Sequence, residues 1–175
     1  ILMFFVFTQL EAQNIVTTIA GNGTSGFGGD GGLASNAMIG NVSGVATDAL
    51  GNIYFADFSN ARIRKINSAG IITTIAGNGT LGSTGDGGLA VNAQIAPAQI
   101  ALDAMGNLYF GENVKVRKIT MSTGIITTVA GTGALGHSGD GGLAVNATFD
   151  YIDGITVDAA GNIFQLGSYK IAASL

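Results

Sequence analysis

Eleven acidic side chains hold nearly all the chemistry open to this chain of 175 residues, and most of those worth weighing recur at fixed intervals. Asp30, Asp86 and Asp140 each sit in a Gly-Asp-Gly-Gly tetrad, 56 and 54 residues apart. Asp57 and Glu112 each precede a short basic run, while Asp150 and Asp153 flank Tyr151 and break the repeating pattern. Carboxylates in glycine-rich loops can offer oxygen ligands to a hard cation such as Ca²⁺. A dedicated calcium loop, however, gathers several acids in one short segment, and each tetrad has one. The competing reading is that the aspartate serves a turn whose glycines take positive φ, and the pattern favours it. Asp57 and Glu112 are expected to pair with nearby Arg or Lys, fixing register more than adding stability. His137 is the only histidine, and its counterparts Phe27 and Ser83 share no chemistry with it, so an exposed, inert imidazole is expected. There is no cysteine, which excludes disulfide and thiol chemistry. No catalytic residue and no metal site is assigned; no cofactor is expected. The loop acids Asp30, Asp57, Asp86, Glu112, Asp140, Asp150 and Asp153 are the binding candidates.

The elements that position these acids come from a repeat. NIVTTIAGNGTSGFGGDGGLA begins at Asn14, IITTIAGNGTLGSTGDGGLA at Ile71 and GIITTVAGTGALGHSGDGGLA at Gly124. A second marker keeps step: DALGNIYF from Asp48, DAMGNLYF from Asp103 and DAAGNIFQ from Asp158. Two markers in phase mean an array of one unit, divided at about 14–76, 77–130 and 131–175. Residues 1–13, opening ILMFFVF, read as the tail of a secretory signal with Ala12 at a candidate cleavage position, or else as a first buried strand. Seven apolar residues are too few to span a bilayer. The signal reading places the chain outside the cell.

The second unit predicts four short strands: Ala98–Leu102, a run from Leu108, Val114–Ile119 and Ile125–Ala130. DAxGN is a hairpin turn, since Asp accepts backbone N–H bonds and Gly takes positive φ. The β-branched residues of IITTIA and IITTVA favour strand over helix. The third strand alternates charge with Ile or Val, which predicts a position near solvent. Ile15–Ala20 reads as an isolated fourth strand able to complete the last unit. Residues 77–97 are expected to form an ordered lid in which Asp86 caps a helical turn and Leu89 packs onto the sheet. The fold class is all-β, with propeller blades of four antiparallel strands. About three blades are present, too few to close a ring. They form part of a longer propeller, or half of a six-bladed ring made by two chains.

Net charge is −4, and the seven Lys and Arg residues fall at one place in the repeat. A nucleic-acid surface needs a basic face, and this chain lacks the residues to build one.

Asp48…Tyr54 with Asp57, Asn60 and Arg62 to Ile66, and Asp103…Tyr109 with Glu112, Asn113 and Lys115 to Ile119, resemble the NHL repeat. The GDGGLA insert resembles the extended form of teneurin-like and bacterial extracellular NHL propellers. The third copy departs after Phe164, lacking the acid and most of the basic residues. The resemblance implies a scaffold rather than an activity. Zinc lyases on this fold would need several histidines. Lactonase-type propellers hold a metal with Glu, Asp and Asn from different blades, and Asp150 and Asp153 come nearest to such a cluster. The expected function is a non-catalytic module presenting a loop-built face to a protein or glycan partner. Two alternatives stay open: a metal-dependent hydrolase or lactonase, and a structural spacer in a longer surface protein.

Overall fold

The computed structural model describes residues 16–167 and 171–174. Each DAxGN aspartate builds the turn the sequence predicts. Asp48 accepts hydrogen bonds from the Leu50 and Asn52 backbone N–H groups at 2.9 Å, from Asn52 Nδ2 at 2.7 Å and from the Tyr54 hydroxyl at 3.0 Å. Asp103 repeats the set with Met105, Asn107 and Tyr109. Gly51 and Gly106 supply φ of 79° and 80°. One carboxylate thereby locks the first two strands of a blade in register and ties down the tyrosine that begins the core.

The first blade contains β1 (Val42–Thr47), β2 (Ile53–Asp57), β3 (Arg62–Ile66) and β4 (Ile72–Ala76), hydrogen-bonded in chain order. β5 (Ile100–Leu102), β6 (Leu108–Glu112), β7 (Lys115–Thr120) and β8 (Ile125–Ala130) make the second. The third has β9 (Ile152–Val157), β10 (Ile163–Gly167) and β11 (Ile171–Ser174). All pairings within the blades are antiparallel. The first strands β1, β5 and β9 lie side by side at the hub. Gly44 of β1 comes so close that a Cβ there would stand 2.9 Å from the Ala98 carbonyl oxygen. Gln99 Nε2 completes the contact by donating to the Ser43 carbonyl at 2.7 Å.

The apolar core lies between blades. Tyr54, Ile63 and Ala76 of the first blade meet Ile100, Leu108 and Phe110 of the second, with Ile95 of the connecting loop wedged among them. Val116 and Ala130 pack in the same way toward Ile152 and Ile163. Blades that bury their faces only against neighbours make a stack whose stability accumulates by contact between successive units.

The long loop is ordered, as expected, but by other means. Residues 87–90 run along the outer edge of β8. Gly87 N–H donates to the Ile126 carbonyl at 2.8 Å, Ile126 N–H returns to Gly88 at 3.0 Å, and Ala90 N–H donates to Gly124 at 2.8 Å. The loop before the first blade does the same to β4 through Gly31, Gly32 and Ala34. The tetrad thus covers an exposed strand edge, which would otherwise invite pairing with another chain. Two expectations are corrected here. Asp86 caps no helix: the short 3₁₀ turn Ala90–Asn92 starts after Leu89 with no side-chain cap. Leu89 forms a backbone bridge to Ile125 and leaves its side chain half exposed, while Ala90, Ala93 and Ile95 are the loop residues that go under.

The N-terminal strand is also corrected. Residues 16–20 form no strand and Val16 is 99% exposed, so they do not complete the third blade. The expected signal tail at residues 1–13, and Ile15, lie outside the described residues.

Candidate functional site

The basic strand does not face solvent at its centre. Arg64 and Arg117 are fully buried. In the first two blades the pairing of the third strand with the fourth skips one residue: Ile75, between the Ile63–Ala76 and Arg64–Thr74 pairs, and Val129, between the Val116–Ala130 and Arg117–Thr128 pairs. Bulges of this kind re-aim side chains, and here the guanidinium runs beneath the loop instead of outward.

The loop aspartates and the strand-end acids converge on these arginines. Arg64 Nη2 lies 2.7 Å from Asp30 Oδ1 and 2.9 Å from the Gly28 carbonyl; its Nη1 donates to the Met38 carbonyl at 2.8 Å and stands 3.6 Å from Asp57 Oδ2. Arg117 repeats this with Asp86 at 2.7 Å, the Thr84 carbonyl at 2.9 Å, the Gln94 carbonyl at 3.2 Å and Glu112 at 3.4 Å. The second oxygens of Asp30 and Asp86 accept the Thr74 and Thr128 N–H groups, both at 3.0 Å. Asp57 also accepts the Gly40 N–H and Asn60 Nδ2, and Glu112 accepts the Ala96 N–H at 2.7 Å and the Ser83 hydroxyl at 2.8 Å. The expected pairing of Asp57 and Glu112 with a basic residue therefore occurs within the blade, on the same guanidinium that the loop aspartate holds. Phe27 lies beneath Arg62, 3.7 Å from guanidinium carbon to ring centroid.

Environment separates the acids. Burial pushes the Glu112 carboxyl above its ordinary value, and bonds from Ala96, Ser83 and Arg117 do not fully offset it. For Asp86 and Asp103 burial acts the same way, but hydrogen bonds from Thr128 and Arg117, and from Asn107 and Tyr109, outweigh it and hold both below the usual range. The Asn52 and Asn162 amides lower Asp48 and Asp158. Desolvation, then the neighbouring Asp48, pushes the Tyr54 phenol up to about 12.

The four lowered aspartates set a sign for pH dependence. Each binds protons more weakly folded than unfolded, so each contributes stability that is present above the ordinary Asp value of about 3.9 and lost as pH falls through the folded value. Thermal midpoints taken from pH 7 down to pH 2.5 are expected to show no loss above about pH 4, where the raised Glu112 acts in the opposite sense, and then to fall. Asp103→Asn should flatten part of that fall; an unchanged profile would contradict the role of the turn.

The third blade departs from this plan. Gln165 pairs with Ala172, as Phe55 pairs with Arg64 and Phe110 with Arg117. Counting from Asp158, Gly167 stands where Asp57 and Glu112 stand. Asp140 is exposed, and among the described residues neither an arginine nor a strand N–H bonds to it. His137 is exposed, as expected, but it stands beside an acid: its Nε2 lies 3.0 Å from Asp150 Oδ2. Asp150 and Asp140 border a cavity of about 680 Å³ with His137, Gln165 and Ala172, whereas Asp153, exposed on β9, does not line it. Sequence reasoning missed Arg64, Arg117 and Gln165. The signal for Gln165 was the break in DAxGN(I/L)(Y/F)F, where the third copy alone puts an amide at the second aromatic position. Among the described residues no three acidic or imidazole side chains come together as ligands for a metal ion.

Two four-stranded antiparallel sheets and a third of three strands, set side by side around a hub, with a long loop on the outer edge of each of the first two, are the blades of a β-propeller. The chain belongs to the NHL-repeat family of β-propellers, and the Teneurin NHL domain matches residues 18–84. Human Teneurin-1 is 31% identical over 153 residues, 78% of this chain and 5% of that protein. Teneurin-3 of Danio rerio is 36% identical over 100 residues, 53% of this chain and 4% of that protein. A solved structure of a protein of unknown function from Bacteroides thetaiotaomicron superposes with a TM-score of 0.61 at 26% identity, over 71% of this chain and 33% of that one. The chain thus spans a small part of the teneurins it matches and about a third of that solved structure. No helix among the described residues is long and apolar enough to cross a membrane.

Proposed function

We propose that residues 14–175 are a segment of a non-catalytic, extracellular β-propeller whose loop face meets a protein or glycan partner. The observation that carries this reading is what the loops expose. Leu81, Leu89 and Val91 on one loop, and Leu135, Leu143 and Val145 at the matching places of the next, are each between 43% and 70% exposed. Apolar side chains repeated on one face mark interaction surfaces more than singly scattered ones do. In the first two blades the acids beside them are already held by arginine and main-chain N–H groups, which leaves no unengaged acid–base pair there. With three blades, the segment either continues into a longer propeller or pairs with a second copy to close a ring.

The alternative, a metal-dependent hydrolase or lactonase, draws on one observation: His137 and Asp150 form a pair that the other blades lack. Screening the purified chain on extracellular-protein and glycan arrays, in parallel with lactone and ester substrates with and without Ca²⁺ and Zn²⁺, separates the readings. A partner retained by the wild-type chain and lost by the Leu89→Asp, Leu143→Asp double variant is the expected result. Metal-dependent turnover would overturn it, and silence in both arms would leave a structural spacer.

A further inference from the structure

Four Asn-X-Ser/Thr triplets occur in the chain, at Asn22, Asn41, Asn78 and Asn146. On the surface of a secreted protein such a triplet accepts an N-linked glycan. The fold sorts the four. Each long loop closes at a neck, where its entering turn lies across its leaving turn. There the Asn22 N–H donates to the Ala37 carbonyl, the Asn78 N–H to Ala93 and the Thr132 N–H to Ala147, each at 2.9 Å. Asn22 Nδ2 also reaches the Asn36 carbonyl, and Asn78 Nδ2 the Asn92 carbonyl, both at 3.2 Å. In the first two loops the entering side carries the triplet, with Thr24 and Thr80 supplying the hydroxyl, while Met38 and Gln94 deny one to the leaving side. The third loop reverses both. Thr132 and Ala134 remove the triplet from the entering side, and Thr148 completes one at Asn146, the counterpart of Asn36 and Asn92. The triplet has changed sides and kept its place at the neck.

Turn chemistry accounts for only part of this. Asn22 and Asn78 close Asx turns, their Oδ1 atoms accepting the Thr24 and Thr80 N–H groups at 2.9 Å. Thr132 Oγ1 does the same for the Ala134 N–H at 3.3 Å, so the turn does not require an asparagine. Thr148 has a second duty, accepting the Ser138 N–H at 3.0 Å, but that duty asks nothing of Asn146. Asn22, Asn78 and Asn146 are all exposed. Asn41 stands apart, because the Ser43 hydroxyl donates to the Pro97 and Ala98 carbonyls at 3.0 and 3.1 Å and so belongs to the contact between blades. We infer that the neck of each long loop is an acceptor site for an N-linked glycan, through Asn22, Asn78 and Asn146. In the transfer, asparagine Nδ2 bonds to the anomeric carbon of a lipid-diphosphate-linked oligosaccharide. That carbon's bond to the diphosphate oxygen breaks, the lipid diphosphate leaves, and the amide gives up one proton. Each amide keeps one N–H for the carbonyl across the neck. Leu81 adjoins Thr80 and Val145 adjoins Asn146 in the chain, so a hydrated sugar at the neck borders the exposed apolar residues and limits the side from which a partner reaches them.

This rests on the extracellular part of the reading above, and the test separates the two. The chain is translated behind a cleavable secretory leader into endoplasmic-reticulum microsomes, and its glycans are counted as mobility steps sensitive to endoglycosidase H. Thr24→Ala, Thr80→Ala and Asn146→Gln are each expected to remove one step; the two alanine variants keep the N–H that closes the Asx turn. Adding Thr132→Asn and Ala134→Thr to Asn146→Gln moves the third triplet to the other side of its neck and is expected to restore the lost step. This count does not need a variant to fold. On the wild-type chain secreted from cultured eukaryotic cells, peptide N-glycosidase is expected to release all three glycans without denaturant, as exposed necks require. A variant that removes no step, a relocated triplet that restores none, or glycans released only after denaturation would overturn the inference. Three steps in microsomes, with bare asparagines on the chain purified from its source, would overturn only the extracellular placement. A chain found outside cells that gains no step in microsomes would overturn only the acceptor sites.

Discussion

Arg117→Met should cost about 3–5 kcal/mol of folding stability at pH 7, and the cost should shrink as the pH is lowered toward 4. Methionine fills similar length but donates nothing. The Thr84 and Gln94 carbonyls lose a donor, and Glu112, 1% exposed, loses the cation beside it. Leaving one charge of a buried pair behind is what makes such truncations expensive, since attraction vanishes while desolvation remains. Asp86 is about half exposed and can turn to water, so most of the penalty falls on Glu112.

The pH dependence follows from the direction already present. Burial holds Glu112 above its ordinary value in the intact blade, and removing Arg117 takes away one of the effects lowering it. A carboxyl raised on folding contributes stability that is fully present below its unfolded value, about 4.3, and is lost as pH rises through its folded value. The variant should therefore lie closest to the wild type near pH 4 and fall furthest behind near neutrality. Adding Glu112→Gln should recover part of the loss at pH 7 and flatten the pH difference, because the amide keeps a hydrogen-bonding group at Ala96 and Ser83 without the charge. Denaturant midpoints for the wild type and the two variants at pH 4.5 and pH 7 measure this. A cost that is the same at both values would show that Glu112 does not carry it.

Strand order and register could be read from the chain because they are set locally. A carboxylate four residues before an asparagine, with a glycine between them, closes its own turn whatever surrounds it, and Asp48, Asp103 and Asp158 all do so. The arginine pockets could not be found by the same means. Alternation in R-I-R-K-I correctly puts Arg64 opposite Ile63, but it cannot say that the far side is roofed by a loop whose aspartate comes 34 residues earlier. Burial there is a property of the loop packed on the sheet. A trace existed all the same: the two copies with both strand-end acid and arginine differ from the third, which lost both together, and loss in step is what a shared contact requires. The failure at residues 16–20 has another cause. VTTIA has the composition of a fourth strand, but composition supplies no partner, and within the described residues nothing is hydrogen-bonded alongside it.

The third blade's departure also fixes the expected size of the reverse experiment, Phe110→Gln. Phe110 is fully buried between the first two blades, against Tyr54, Ile63 and Ile95 among others. Deleting a buried phenyl ring typically costs about 3–5 kcal/mol through lost transfer energy and the cavity it leaves. An amide restores some volume, but its polar atoms would find no partners in that cluster, which adds about 1–3 kcal/mol for each one left unsatisfied. The sum approaches the whole stability of an ordinary domain, so the variant should populate an opened state in which the two blades separate. Because each blade is braced chiefly by its neighbours, amide exchange should rise first in β5 and β6 and in residues 90–95, and later in β2 and β3 of the first blade. Gln165→Phe, the matching change in the third blade, should instead stabilise by about 0.5–2 kcal/mol, as cavity-filling substitutions commonly do. If Phe110→Gln cost less than about 1 kcal/mol, the glutamine in the third blade would be an ordinary tolerated variation.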